Sequence, residues 1–155
     1  MTHEQEILSA LAKSTFRLNG RFLAIGEELA RSTGLTASLW LVLGSVLREP
    51  RTVADIARDI GVARQSAQRT ADLLVGRGLA TYRPNPAHRR AKLLDPTPEG
   101  RRAIERIAPA HRAYARRLTD TVGLEEAERL LAALVTLDQA LATVGTALVP
   151  TTNES

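Results

Sequence analysis

The sequence predicts a mainly α (α+β) fold, a winged helix–turn–helix set between N- and C-terminal dimerisation helices. Three observations carry this. Apolar residues recur at helical spacing over most of the chain. Between Thr52 and Gly76 a short helix, a turn at Gly61 and a second helix follow one another. The period then switches to that of a strand pair around Pro84–His88 before helical spacing returns. With 155 residues there is room for one ordinary core and not for two.

The first helix is expected from about Glu4 to Arg31. Ile7, Leu11, Leu18, Phe22, Ile25 and Leu29 make its stripe, with Ser14 as a polar gap. Gly34 suits a C-terminal cap. Thr36 reads as the N-cap of a second helix to Leu47, built on Leu39, Trp40, Leu43 and Val46, and Glu49-Pro50 ends it. Thr52-Val53-Ala54-Asp55 fits a capping box opening a third helix, which buries Ala54, Ile56, Ala57 and Ile60. Ala57 is placed at the crossing with the next helix, Gly61 in the turn, and Val62 as a plug for the core. The next helix runs from about Arg64 to Val75, with Ala67, Thr70, Ala71 and Leu74 inward and Leu73 peripheral. Leu79–Arg83 and Arg90–Leu94 read as paired strands. Thr97 as N-cap, Pro98 in the first turn and Glu99 beside it start a helix to about Leu118. Gly123 precedes a last helix, Leu124 to about Leu148, and residues 150–155 read as a polar tail.

Composition narrows the function. Hydrophobic residues make up 44% and charged residues 25%, an ordinary globular balance. There is no cysteine, which excludes disulfides, thiolate zinc, iron–sulfur clusters and thiol redox sensing. His3, His88 and His111 lie far apart with no ligand spacing, so neither a metal nor a cofactor is expected. The sole methionine is Met1, so peroxide sensing through sulfur is excluded too. No stretch is long and apolar enough to span a membrane. Glu4 and Glu6 are wrong for a secretion signal, so a cytoplasmic location is expected and Asn153-Glu154-Ser155 has no meaning as a glycosylation site. Neither a Ser-His-Asp set, nor paired carboxylates, nor a Gly-rich phosphate loop stands out, and no enzyme is expected.

Charge points to a partner. The chain carries 21 Lys and Arg against 17 Asp and Glu, and all but Lys13 and Lys92 of the cations are Arg. A net charge of +4 and a pI near 10.3 suit an anionic partner, nucleic acid or membrane. Residues 51–92 hold nine cations and three acids, a net of +6, so the rest of the chain carries −2. The positive charge therefore sits on the helix–turn–helix and hairpin. On the second helix Arg64, Gln65, Ser66, Gln68 and Arg69 are the side chains able to reach base edges, although an ordinary solvated face would carry similar residues. His88, Arg89, Arg90 and Lys92 belong to a wing of the kind a narrow minor groove attracts. A membrane surface would call for a basic amphipathic helix, and the basic segment is a hairpin motif instead.

Read in order, these motifs resemble the MarR family of winged-helix transcriptional regulators over about residues 4–148. The likeness rests on Leu35-Thr36 with Trp40, Thr52-Val53-Ala54-Asp55-Ile56-Ala57, Leu74-Val75-Gly76-Arg77-Gly78-Leu79, Asn85-Pro86-x-His88-Arg89-Arg90-Ala91 and Thr97-Pro98-Glu99-Gly100. It implies a homodimer on double-stranded DNA, a recognition helix in each major groove and a wing in the flanking minor groove. Arg69 matches the family's recognition-helix arginine and Arg90 its wing arginine. Two departures stand out. His88 replaces the aspartate that usually precedes the wing arginines, and Ala63 replaces the Ser or Thr that often caps the recognition helix. The resemblance further implies a small aromatic or lipophilic anionic effector, for which Arg17, Trp40, His111, Arg112 and Tyr114 are candidates; Trp40 and Tyr114 would serve equally as core.

Dimerisation also has support in the residues. Leu130, Leu134, Leu137, Leu141, Val144 and Leu148 step by heptad-like intervals. A partner chain would cover this seam, as would packing of the two end helices on each other. The expected organisation is an N-terminal dimerisation helix over 1–34 and a DNA-binding domain over 35–96. Within that domain the recognition helix spans about 63–76 and the wing about 79–95. C-terminal helices over 97–149 complete the dimerisation domain. The expected function is a sequence-specific double-stranded DNA-binding regulator, a ligand-responsive repressor on a pseudo-palindromic operator. A winged helix that binds protein without DNA activity is the alternative.

Overall fold

The computed structural model describes residues 1–147, so Leu148 of the seam and the 150–155 tail lie outside the described residues. The chain divides into two compact units, Met1–His111 and residue 112 onward. Helix α1 (His3–Ala30) opens with a reciprocal capping box: Thr2 Oγ1 accepts from Gln5 N–H, and Gln5 Oε1 accepts from Thr2 N–H. A 3-10 turn, Arg31–Thr33, follows. Gly34 closes it at φ 72°, donating its N–H to the Arg31 carbonyl. Only Gly26 and Ala30 of α1 are buried. A Cβ on Gly26 would lie 2.9 Å from Ala37 Cβ, so glycine lets α1 reach α2 (Ala37–Ser45). The start of α2 is capped twice, by Thr36 Oγ1 on Leu39 N–H and by Glu27 Oε1 on Ala37 N–H. Its end stops two residues short of the expected Leu47. Arg101 donates to the Leu47 carbonyl there, satisfying a group the helix leaves open.

Strand β1 (Arg51–Thr52), too short to show a period, is absent from the sequence expectation. Helix α3 (Val53–Ile60) starts at Thr52, whose hydroxyl accepts from Asp55 N–H. The expected box is completed differently: the Asp55 carboxylate takes the Thr52 hydroxyl proton at 2.8 Å. That hydrogen bond holds the Asp55 carboxyl below its usual range against the opposing effect of desolvation, and the Arg58 guanidinium adds to the lowering. Val53, Ile56 and Ala57 are buried, while Ala54 and Ile60 are half-buried. Gly61 turns the chain at φ 70°. Helix α4 (Arg64–Gly76) buries Ala67, Ala71 and Leu74. Val62 is 41% exposed and does not plug the core, because the αL residue before it turns its side chain out of the helix crossing.

Strands β2 (Ala80–Arg83) and β3 (Leu93–Pro96) form the wing, and the sheet order is β1-β3-β2, antiparallel throughout. The returning strand was expected at Arg90–Leu94 and begins at Leu93 instead. Pro96 pairs with Ala80, and β1 reaches only Leu93 and Leu94. No β1 carbonyl therefore needs the N–H that Pro96 lacks. Leu43, Ile56, Leu74, Leu94 and Ile107 are fully buried, one from each of α2, α3, α4, β3 and α5 (Pro98–Val122). Helix α5 runs four residues past the expected Leu118. It carries Pro109, which removes one donor to the preceding turn. Helix α6 (Leu124–Ala147) completes the described chain.

Three elements meet at Thr97. Its N–H donates to the Leu79 carbonyl (3.0 Å), and its hydroxyl donates to the Gly78 carbonyl (2.6 Å) and accepts from Gly100 N–H (3.1 Å). A Cβ at Gly100 would lie 2.0 Å from the Leu79 oxygen. In an open helix, Gly→Ala gains about 1 kcal/mol. Here overlap with backbone outweighs that gain, at about 1–3 kcal/mol of cost. Gly100→Ala is expected to lower the urea midpoint with the slope preserved; a raised midpoint would show that the contact relaxes freely.

Candidate nucleic-acid interface

The nine cations of residues 51–92 separate into two groups. Arg51 pairs with Asp59, Arg58 with Asp55 and Arg83 with Asp95, and Arg77 donates to the Gly34 carbonyl. These four are tied to partners within the fold. The other five, Arg64, Arg69, Arg89, Arg90 and Lys92, are exposed and form no ion pair or hydrogen bond among the described residues. All five lie among the positions that the sequence assigns to the recognition helix and wing.

Their supports follow from local sequence. Helix α4 begins at Ala63, which has no side chain to cap it, so the first N–H groups are not closed off by a side chain. Gly61 sets the direction in which α4 leaves α3. In the wing, Asn85 Oδ1 accepts from Ala87 N–H (3.0 Å) and the Asn85 carbonyl accepts from His88 N–H (3.2 Å). This local turn orders the tip without a ladder, and leaves Arg89, Arg90 and Lys92 on the segment before β3. His88 is exposed, and its side chain makes no hydrogen bond to Arg90.

One groove of about 280 Å³ gathers Arg64 and Gln68 of α4 with Arg90, Ala91 and Lys92 of the wing, above Thr52, Val53, Ala54 and Tyr82. Helix α4 and the wing thus meet at one surface. Ser66 lies elsewhere, in a groove with Val62 and Thr70 on another flank of α4. Gln65, Arg69 and Arg89 are exposed outside both grooves.

Sequence reasoning missed what Gln68 is tied to. Tyr82 Oη donates to Asp72 Oδ1 at 2.6 Å, and Gln68 Nε2 donates to Tyr82 Oη (2.8 Å) and Asp72 Oδ1 (3.0 Å). Asp72 stands one helical turn beyond Gln68, a spacing visible in the sequence. Tyr82 arrives through the strand register, which is not. Partial burial, then the hydrogen bond to Asp72 and its negative charge, pushes the Tyr82 phenol up to about 12 against the opposing Gln68 hydrogen bond.

The expected effector residues are dispersed. Trp40 and His111 meet edge to face, with ring centroids 5.3 Å apart, and both line an apolar groove of about 560 Å³. Its other walls are Asn19, Phe22, Leu23, Gly26, Ala37, Leu41, Gly44, Ser45, Asp59 and Ile60, so no Lys or Arg lines it. Arg17 donates instead to Ser14 on α1. Arg112 is exposed and Tyr114 half-buried, both in the second unit.

Comparison with known proteins agrees with this architecture. A profile described as the MarR family matches residues 33–91. An uncharacterised protein of Mycobacterium tuberculosis is 38% identical over 115 residues, 74% of this chain and 80% of the relative. Among solved structures, the transcriptional repressor CouR bound to a 23-mer DNA duplex superposes with a TM-score of 0.72 at 26% identity, over 89% of this chain and 99% of CouR. A mutant MarR from E. coli complexed with operator DNA gives a TM-score of 0.74 at 22% identity, over 88% and 99% of the two chains.

A phenol whose value is raised in the fold adds stability that is complete below the ordinary tyrosine range near 10. That contribution is lost as pH rises toward about 12. Ultraviolet difference titration is expected to show a tyrosine step well above the ordinary value, from Tyr82. The late step should vanish in Tyr82→Phe. Two coincident steps at the ordinary value would contradict the Tyr82–Asp72 hydrogen bond.

Proposed function

The chain belongs to the MarR family of transcription regulators, and from that footing we propose that it is a sequence-specific double-stranded DNA-binding regulator. In this reading it is a homodimeric, ligand-responsive repressor of a pseudo-palindromic operator. The observation that carries the proposal is the sorting of cations within residues 51–92: four are tied to partners in the fold, and the five free ones lie on α4 and the wing, three of them around one groove. Free, exposed cations are what neutralising phosphates requires. Residues 35–96 act as the DNA-binding domain. Arg64, Gln65, Ser66, Gln68 and Arg69 enter the major groove, and His88, Arg89, Arg90 and Lys92 meet the minor groove. The likeness to CouR, described as a repressor bound to DNA, supports the same reading.

Residues 1–34 and 97–149 serve dimerisation. On α1, Ile7, Leu11, Leu18 and Phe22 are exposed. On α6, Leu130, Leu134, Leu141 and Val144 are exposed and Leu137 is half-buried. Bare apolar residues at interface spacing favour a second copy. A two-fold pair would set recognition helices about 34 Å apart, one turn of DNA. The effector would enter the groove beside Trp40. Its volume suits a small molecule. Because its lining is mostly aromatic and aliphatic, with Asp59 and no Lys or Arg, lipophilic and aromatic character matters more there than negative charge. No described helix is long and apolar enough to cross a membrane.

Fluorescence anisotropy on the duplex upstream of its own gene, at two salt concentrations, tests the reading. Two chains per duplex and salt-sensitive affinity are expected. Arg90→Ala should weaken binding and flatten the slope of log affinity against log salt by about 2 per dimer, one phosphate per chain. Absence of any salt-dependent duplex binding would sink the proposal. Trp40, the sole tryptophan, reports on the effector. Small lipophilic aromatics that release the duplex are expected to quench its emission. Release without any change at Trp40 would move the effector elsewhere.

A further inference from the structure

We propose that Tyr82 and Asp72 are positioning residues that turn Gln68 into a fixed hydrogen-bond acceptor, so that the chain reads an exocyclic amino group, adenine N6–H₂ or cytosine N4–H₂. The inference rests on the DNA-binding reading above and deepens it. An unconstrained glutamine offers donor and acceptor on one edge and suits adenine through two hydrogen bonds. Gln68 is not unconstrained. Its nitrogen faces Asp72 Oδ1 at 3.0 Å and Tyr82 Oη at 2.8 Å. The reversed carboxamide is excluded by hydrogen-bond chemistry. A carboxylate only accepts, and the one Tyr82 hydroxyl proton already goes to Asp72 at 2.6 Å. An oxygen in place of Nε2 would face two acceptors with no proton between them.

The orientation of the other end follows. Gln68 is half-buried, its Oε1 accepts nothing among the described residues, and no buried side-chain oxygen there lacks a partner. Oε1 therefore reaches solvent, and Gln68 lines the groove shared with Arg64, Arg90 and Lys92. A lone acceptor there is repelled by guanine N7 and O6 and by thymine O4, and attracted by the amino groups of adenine and cytosine. The positioning is also anchored in the wing: Tyr82 sits on β2 opposite Leu94, which is fully buried on β3. The strand stem thereby decides which edge of an α4 side chain meets the base.

The test uses full-length chain and duplexes that the wild type selects from a random pool, each then varied one base pair at a time. At one position of each half-site, wild type is expected to accept A or C on the read strand. G or T there should bind about 3- to 10-fold more weakly, the worth of one hydrogen bond. Gln68→Ala should identify that position by abolishing the preference. Tyr82→Phe removes one of the two acceptors that face Nε2 and Asp72→Ala removes the other, so the double variant frees the carboxamide. It is expected to flatten the preference at that position alone, while loss of the Asp72 charge raises affinity for every duplex alike. If the double variant retains the wild-type profile, or weakens every duplex equally, the positioning role is overturned while the DNA reading stands. If wild type prefers A over C as strongly as over G and T, Gln68 reads adenine by two hydrogen bonds and the acceptor role is overturned. If wild type selects no duplex at all, the DNA reading fails and takes this inference with it.

Discussion

The approach of Gly100 to the Leu79 carbonyl ties the start of α5 back to the short link between α4 and β2. Thr97 makes that approach specific, since it bonds the Gly78 and Leu79 carbonyls and the Gly100 N–H together. The end of α4, the first residues of β2 and the first turn of α5 are thereby held at hydrogen-bond distance. Leu79 and Ala80 are buried directly beside this junction, and β3 returns to it at Pro96. Without so small a residue at position 100 the α5 backbone would stand off, and the wing would lose its fixed angle to α4. A groove lined from both α4 and the wing depends on that angle.

Electrostatics then separates structure from function within one basic segment. Asp59 and Asp95 each hold an arginine of a strand, and Asp55 holds Arg58 one turn along α3. Exposed pairs of this kind add little stability, about 0–1 kcal/mol each. Their effect here is to fix which cations are spoken for. What remains unpaired is a stripe of arginine and lysine on two elements of different origin. Like charges at such proximity are mildly unfavourable in the isolated chain, and an arriving polyanion relieves them. Asp72 is the exception among the acids. It braces no arginine and holds a tyrosine and a glutamine instead.

Much of this was legible because it is written in local chemistry. Thr36, Gly34, Gly61 and Thr97 act by their own backbone preferences, and each does in the structure what its type suggests. The Thr2–Gln5 box is equally local and lies outside the sequence expectation, whose first helix begins at about Glu4. What stayed illegible depends on partners distant in sequence. Strand β1 exists only because β3 passes beside it, and two residues have no period to detect. The start of β3 slipped to Leu93 because the Asn85 turn satisfies its own backbone and lets the segment to Lys92 run unpaired. Val62 looked like core by type, and the geometry of Gly61 sends it outward. In the groove between α4 and the wing, Arg64, Gln68, Arg90 and Lys92 are residues that charge and spacing single out. Tyr82 is not, since only the fold brings β2 beside α4. The apolar groove tells the same story: Trp40 and His111 could be named, but Asn19 to Gly26 of α1 and Asp59-Ile60 of α3 enter it through tertiary packing.

The bare apolar residues of α1 and α6 bear on the life of the chain before it meets any ligand. Phe16 is 78% exposed, Phe22 60% and Leu131 63%, and such surface is prone to indiscriminate association. A partner that covers it couples folding to mass action, so measured stability rises with the amount of chain present. Scarce chain is then the form most open to proteolysis, and abundant chain the form best protected. In a regulator that controls its own gene, such coupling would link the half-life of the protein to its copy number, so that low expression is erased faster than dilution alone would achieve.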